Sequence, residues 1–312
     1  MQKIVTIGGG TGHYQLLRGL KNRDCNLTAV VNACDNGGHS GELRDEFGVL
    51  PPGDSRQCLV ALASEESSNI LRRLFEHRIE SESGKPSLSI GNVFIAGLEN
   101  LTGSQSIALK EAGKLLGIRG RVIPVTEDCF NINARLEDGK ELKGQREVSY
   151  TDAGSKILEI YAVPVPHVHI EAAEALREAD KIVICPGDLY GSIIPNFLVE
   201  GMIDAIKSSG AKIVYVCNVV TKQGTYGFKA SDFAGEIERY LKRSLDRIIV
   251  NTKIPTKETQ RKYLGEKSQI VEDDLPEDAR VVRAELVGEY TSERKTLLRH
   301  DPIKTAREIM DV

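Results

Sequence analysis

The sequence predicts an α/β protein: a doubly wound, mostly parallel sheet that carries a small antiparallel β insertion. Three observations predict it. Short runs rich in Val and Ile alternate with stretches of helical periodicity from the first residues onward, as in sheets whose strands are buried on both faces between crossover helices. The first run, Lys3–Ile7, passes directly into Gly8-Gly9-Gly10-Thr11-Gly12 and then a helix. Between about residues 129 and 163 the period changes to one suited to antiparallel strands. One domain over 1–312 is expected, with the weakest signal in 252–312.

In chain order, Lys3–Ile7 and Leu27–Asn32 read as parallel strands, with a helix over roughly Thr11–Lys21 between them. Apolar residues at helical spacing predict helices over Ser55–Ser64, Ser67–Arg78, Gly91–Leu101 and Ser104–Leu116, followed by a strand at Arg121–Thr126. Phe130–Leu136, a turn at Glu137-Asp138-Gly139, Glu141–Val148 and Ile157–Val163 make up the expected insertion. Alternation resumes with a helix at Ile170–Ala179, a strand at Lys181–Cys185, a helix at Ser192–Ser208 and a strand at Lys212–Asn218. A helix at Ser231–Arg243 and strands at Arg247–Asn251 and near Arg280–Leu286 follow. The last helix opens with Asp301 as N-cap and Pro302 in its first position.

Composition narrows the function. Of the 312 residues, 40% are hydrophobic and 28% charged, an ordinary globular balance. The net charge of -4 argues against a nucleic-acid footprint, which needs clustered Lys and Arg. No run approaches the ~20 apolar residues of a membrane span, and with a strand at the first residues no secretory leader is expected. Six cysteines, at 25, 34, 58, 129, 185 and 217, form no CxxC pair. They make neither a zinc site nor a disulfide framework, and a reducing cytoplasm is expected.

Ligands of doubly wound sheets bind beyond the carboxyl ends of the strands, so the strand-end loops are the places to look. The loop Gly8–Gly12 has the make-up of an anion seat. Its glycines permit close backbone approach, and the following helix offers unpaired N–H groups and the positive end of its dipole. Gly9, Gly10, Thr11 and Gly12 are therefore candidate phosphate-binding residues. The loop is not a dinucleotide fingerprint, because His13 stands where a third glycine belongs, and no lysine makes it a Walker loop. A tight turn without a ligand is the alternative.

The second loop, Ala33–Arg44, contributes Asp35, Asn36, Gly37, Ser40 and Arg44. Asp35 suits a ribose hydroxyl or Mg²⁺, and Arg44 a bidentate phosphate contact; an Asn36-Gly37 hairpin turn is the alternative. The third, Leu50–Gln57, holds Asp54 or Ser55 as a helix cap, and Arg56. A cation in a first helical turn opposes the dipole, which points to an anionic partner for Arg56. The fourth and fifth loops follow later strands as Cys185–Asn196 and Asn218–Tyr226. His167 and His169 would share a face as a metal pair without a third ligand. Cys34, Cys185 and Cys217 at strand ends read as buried thiols.

At these loops the sequence resembles the superfamily that joins 2-phospho-L-lactate transferase (CofD) and the YvcK-like gluconeogenesis factors. The YvcK pattern reads GGGTG, DDGGSSGRLR, PPGDIRNCLVAL, HSLGN, GPGSLYTSIIPN and YVCNLMTQPGET. Here the same order runs Gly8–Gly12, DNGGHSGELR at Asp35–Arg44, PPGDSRQCLVAL at Pro51–Leu62, LSIGN at Leu88–Asn92, CPGDLYGSIIPN at Cys185–Asn196 and YVCNVVTKQGTY at Tyr215–Tyr226.

The resemblance implies a Rossmann-like, CofD-like fold. Its YvcK side implies binding of nucleotide sugars such as UDP-glucose and UDP-N-acetylglucosamine, or of dinucleotides such as NAD(P), with influence on carbon metabolism and cell-wall synthesis. Its CofD side implies Mg²⁺-dependent transfer of phospholactate from a GDP-linked donor to a deazaflavin. On this pattern Asp35 is the metal- or ligand-facing acid, with Arg44 and Arg56 on the phosphate side and Asn92 as the helix-start asparagine. Gly187, Asp188, Tyr190, Ser192, Asn196, Asn218 and Gln223 complete the candidate nucleotide site. The chain departs from the pattern at Asn36 (for Asp), His39 (for Ser), Glu42 (for Arg), Leu88 (for His) and Asp188 (for Ser), and Lys222 and Tyr226 alter the last loop. Asn36 in place of a carboxylate weakens a metal site.

The expected function is a cytoplasmic, YvcK-type nucleotide- or nucleotide-sugar-binding protein that regulates central carbon metabolism or cell-wall precursor synthesis. The alternative is a Mg²⁺-dependent transferase using a nucleoside-diphosphate-activated donor, with Asp35 toward the metal. The expected partner is a small nucleotide, with no nucleic acid and no membrane span; self-association into a homo-oligomer stays open. A nicotinamide dehydrogenase loses ground because the fingerprint fails at His13.

Overall fold

A computed structural model spans residues 1–312 and describes all but 36, 65–68, 81–86, 152–154, 266 and 292–295. The chain builds a parallel sheet from seven strands: β1 (Gln2–Gly8), β2 (Cys25–Val31), β3 (Arg121–Pro124), β4 (Lys181–Ile184), β5 (Lys212–Val216), β6 (Arg247–Asn251) and β7 (Val281–Ala284). Their spatial order is β3-β2-β1-β4-β5-β6-β7, and every neighbouring pair is parallel. The chain winds outward from β1 to β3, then returns to lay β4 against the other side of β1. That reversal makes the sheet doubly wound and opens a crevice beyond the carboxyl ends of β1 and β4.

Successive strand residues feed two cores. Val5, Ile7, Val30, Ile182, Ile184, Ile213 and Tyr215 enter one; Ile4, Leu27, Ala29, Val31, Val183, Val214 and Val216 enter the other. Burial on both faces is what makes these strands read as almost unbroken apolar runs. Helices α1 (Gly10–Leu20) and α3 (Gly53–Leu62), with α2 (Gly38–Phe47) between them in sequence, pack Leu16, Leu17, Leu20, Leu59 and Leu62 into the second core. The helix Pro302–Asp311 lies against α1. Asp301 caps it as expected, accepting from the N–H groups of Ile303 and Lys304 at 3.0 and 2.9 Å.

The insertion is a three-stranded antiparallel sheet with Asn131–Leu136 between Glu141–Lys143 and Ile157–Val163. The edge strand Glu141–Lys143 is shorter than the expected Glu141–Val148. Gly144 takes a φ of 89°, which ends the strand and turns the chain into the helix Gln145–Ser149. The expected helix Ser192–Ser208 is also broken, into a π turn at Leu189–Ile193 and helices Ile194–Phe197 and Met202–Ser208. The backbone of Glu200 bonds to Pro166 and Val168 instead of continuing a helix. The expected helix Ser67–Arg78 is present as Asn69–Glu76, and residues 67–68 lie outside the described residues. Four features have no counterpart in the sequence reading: α2, the short antiparallel pair Arg78–Ile79 with Leu88–Ser89, the helix Lys257–Gly265, and an antiparallel hairpin of Val287–Thr291 with Thr296–His300. Among the described residues no helix is long and apolar enough to cross a membrane.

Candidate functional site

The loops that follow β1 and β4 meet at the crevice, and the glycine loop is packed too closely for side chains at two positions. A Cβ on Gly12 would overlap the carbonyl oxygen of Pro186, and one on Gly9 would overlap the Asp54 carboxylate. His13, the residue that breaks the dinucleotide fingerprint, is fully buried. Its Nε2 lies 2.8 Å from Thr6 Oγ1 in β1, and its Nδ1 lies 3.7 Å from Cys58 Sγ in α3. Burial lowers its pKa to about 4, so a neutral ring ties α1 to the strand below and the helix beside it.

The crevice encloses about 150 Å³. Ligand pockets that swallow a whole drug-sized molecule usually exceed ~300 Å³, so this volume suits one part of a nucleotide. Of the residues expected at a nucleotide site, Gly9, Gly10, Thr11, Gly12, Gly187, Asp188, Ser192 and Asn218 line it. The Asn218 amide clamps two loops together: Nδ2 donates to the Gly187 carbonyl at 2.6 Å, and Oδ1 accepts from Gly187 N–H at 3.3 Å and Tyr215 OH at 3.2 Å. Asp188 Oδ1 accepts from Gly191 N–H at 3.0 Å, and its Oδ2 pairs with Lys222 Nζ at 3.1 Å. Two departures from the family pattern are thus partners of each other. Burial works against the Lys222 charge, but the Asp188 carboxylate outweighs it and holds the ammonium pKa above its usual value.

Behind the glycine loop sit two carboxyls. Asp54 does not cap α3: Pro52 occupies the cap position, and no side chain caps that end. The Asp54 carboxylate instead lies against the glycine loop; burial and then the charge of Asp35 push its pKa up to about 7, against the opposing pull of the Gly10 N–H. Burial raises Asp35 as well, against the opposing pull of Gly37 N–H, which it accepts at 2.9 Å, and of Arg44. No cluster of three or more metal-ligating side chains occurs among the described residues. Two carboxylates nevertheless fit Mg²⁺, which commonly takes one or two from the protein and the rest of its oxygens from phosphate and water. Asn36 lies outside the described residues.

Several expected site residues are engaged elsewhere. Arg44 donates to Asp45 and to Asn131, each at 3.0 Å. Arg56 donates to Asn92 Oδ1 at 2.8 Å and to the Phe75 carbonyl at 3.0 Å; its partners are a neutral amide and a carbonyl, not the anion its helix position suggested. Asn92 Nδ2 continues the chain to Ser40 Oγ at 3.2 Å. Asn196 Nδ2 is bonded to the carbonyls of Ser192 and Ile193 at 2.8 and 3.1 Å. Tyr190 and Gln223 line a second cavity of about 580 Å³, where Tyr190 OH donates to Glu236 at 3.2 Å. His167 pairs with Asp128 at 3.1 Å and His169 faces Glu127 at 4.0 Å, so the two do not form a metal pair. Cys34, Cys185 and Cys217 are buried, with burial raising each thiol pKa.

The structure adds Gln15, Lys222, Arg299 and His300 to the crevice. Arg299 and His300 arrive from the hairpin strand Thr296–His300, which packs on α1. The Arg299 guanidinium has no hydrogen-bond or ion-pair partner among the described residues, and burial depresses its pKa. The one sequence signal for these two residues is their place immediately before the helix cap Asp301.

Residues 4–290 match the family described as 2-phospho-L-lactate transferase CofD. A Thermotoga maritima protein named as a gluconeogenesis factor is 43% identical over 311 residues, which cover 97% of either chain. The gluconeogenesis factor of Halalkalibacterium halodurans is 37% identical over 99% of this chain and 96% of that one. A crystal structure of a Bacillus halodurans protein, described as a member of the upf0052 family, is similar with a TM-score of 0.92 at 36% identity, over 99% of this chain and 100% of that one. Matched over nearly its whole length, the chain belongs to the CofD family and has gluconeogenesis factors among its relatives.

Proposed function

We propose that the protein binds a nucleoside-diphosphate-linked ligand, a nucleotide sugar such as UDP-glucose or UDP-N-acetylglucosamine, and that regulated binding rather than turnover is its activity. In this reading the diphosphate lies against the first-turn N–H groups of α1 and the Arg299 guanidinium. The observation that carries it is the unspent Arg299 charge beside the glycine loop, where strand order reverses. A partly buried guanidinium is costly unless an anion pairs with it, and phosphate matches its forked donors. The relatives' name, gluconeogenesis factor, supports a role in carbon metabolism; this reading adds cell-wall precursor synthesis as a linked branch and the cytoplasm as the setting.

The Asp35–Asp54 pair favours one second reading, a Mg²⁺-dependent transferase acting on a nucleoside-diphosphate-activated donor. The Asp35 charge helps to raise the pKa of the buried Asp54 carboxyl, and a divalent cation held between the two and a phosphate would favour both in their ionised forms.

Melting temperatures measured with UDP-sugars, NAD(P), GDP and a deazaflavin, with and without Mg²⁺, separate the two. Stabilisation by UDP-sugars without product formation supports binding. Magnesium-dependent product from a GDP-linked donor and a deazaflavin establishes transfer instead. A chain that none of these ligands stabilises refutes both.

A further inference from the structure

One wall of the crevice holds polar atoms for which diphosphate binding has no use. His300 is 5% exposed and Gln15 is 8% exposed, yet His300 Nε2 and Gln15 Oε1 have no hydrogen-bond partner. Both side chains line the crevice beside the glycine loop, one from α1 and one from the strand packed on it. Buried polar atoms are nearly always bonded, so two orphans in one wall require donors that the fold does not supply.

Their chemistry is set by their neighbours. The backbone of Cys217 faces the His300 ring and favours its charged form. The Cys217 N–H is already given to the Ile249 carbonyl at 2.9 Å, so what Cys217 offers the ring is its carbonyl. Nε2 is the unpartnered nitrogen, and we assign the ring proton to Nδ1, toward that carbonyl. A proton on Nδ1 leaves Nε2 with a lone pair, able only to accept. Burial, reinforced by the nearby Arg299 charge and opposed by the Cys217 backbone, lowers the ring pKa to about 4, so it stays neutral at physiological pH. Gln15 Oε1 is likewise an acceptor. Neither atom can attract a phosphate oxygen; both repel it.

We propose that His300 and Gln15 form a donor-recognition subsite, in which Nε2 and Oε1 accept hydrogen bonds from hydroxyl or amide N–H groups that the ligand carries next to its phosphates. The inference rests on the nucleotide-sugar reading and sharpens it. The wall selects a phosphoester bearing sugar hydroxyls over a bare diphosphate, and His300 is a specificity-determining residue. The hydroxyls come either from the hexose or from the nucleoside half of the ligand, and the probes below distinguish the two.

The test is calorimetric titration of the full chain with UDP-glucose, UDP and inorganic pyrophosphate. The variants are His300→Phe, which keeps the bulk and removes the acceptor, His300→Gln, which returns a carbonyl oxygen near the Nε2 position, and Gln15→Met. His300→Phe should weaken UDP-glucose binding about tenfold, the loss of one well-placed hydrogen bond, and leave pyrophosphate unchanged. His300→Gln should recover part of the loss, which a purely structural role would not show. A loss confined to UDP-glucose assigns the donors to the hexose; a loss shared with UDP assigns them to the nucleoside. Should His300→Phe fail to fold, Gln15→Met carries the same expectation. Equal losses for all three probes, or none in a folded variant, overturn the subsite while nucleotide-sugar binding stands. Failure of the parent protein to bind UDP-glucose at all overturns both.

Discussion

Replacing Asp54 by Asn should stabilise the protein above neutral pH and change little near pH 4. Asp54 is 8% exposed, and burial, then the Asp35 charge, move its carboxyl from 3.8 to about 7. The folded chain therefore holds this proton more tightly than the unfolded chain does. Below 3.8 both states are protonated and the residue costs nothing. As pH rises from there to about 7, the unfolded carboxyl ionises while the folded one stays neutral, and stability falls steadily. Above that range the loss is complete. A pKa difference of roughly 3, at about 1.36 kcal/mol for each, sums to ~4 kcal/mol. Asparagine preserves the shape and keeps an oxygen toward the glycine loop. Its extra N–H group needs a partner of its own, at a cost of about 1–3 kcal/mol, which leaves a net gain of about 1–3 kcal/mol. Urea unfolding of both proteins across about pH 4 to about pH 8.5 reads the difference directly. A gap that is constant with pH, or that widens toward acid, would refute a buried carboxyl held against its charge.

Arg299→Ala should weaken nucleotide-sugar binding about 10- to 100-fold, the worth of a hydrogen bond to a charged group, without loss of stability, because the guanidinium holds no protein partner among the described residues; unchanged affinity in calorimetry removes it from the site. Gly12→Ala places a methyl against the Pro186 carbonyl oxygen, so two backbone loops must part. Overpacking of that kind costs about 1–3 kcal/mol, more than alanine's helix preference returns, and a variant with parental stability and affinity contradicts the loop contact. Thiol labelling of the native protein should modify Cys129 first and Cys25 more slowly, since the first is exposed and the second partly buried. Cys34, Cys58, Cys185 and Cys217 are buried with raised thiol pKa values and should react only on unfolding; equal rates for all six would contradict this packing.

The sheet is legible in the sequence because burial on both faces writes itself as apolar runs. Each strand of the central sheet, from Gln2–Gly8 to Val281–Ala284, falls on a run that reads as a strand. The glycine loop is legible for a similar reason: what it offers is backbone, and backbone geometry is announced by local residue type. The hairpin Val287–Thr291/Thr296–His300 is not legible, since a two-stranded unit with one face on α1 leaves too short a pattern. Nor is α2, ten residues with few apolar side chains to mark a face.

That difference bears on how the site is to be understood. Arg44 and Arg56 stand inside loops that resemble the family pattern, and both guanidiniums are taken up by other residues of the chain: Asp45 and Asn131 for one, Asn92 and the Phe75 carbonyl for the other. Lys222 is spent on Asp188. Arg299, which lies outside every quoted motif, is the crevice cation with no partner among the described residues. A motif marks where backbone and buried side chains must fit one another, so many of its charged members are consumed in building the loops. In the proposed reading, ligand chemistry falls to polar atoms that the finished fold leaves unpaired, and Arg299, His300 and Gln15 reach the crevice from α1 and the late hairpin strand rather than from neighbouring positions in the chain.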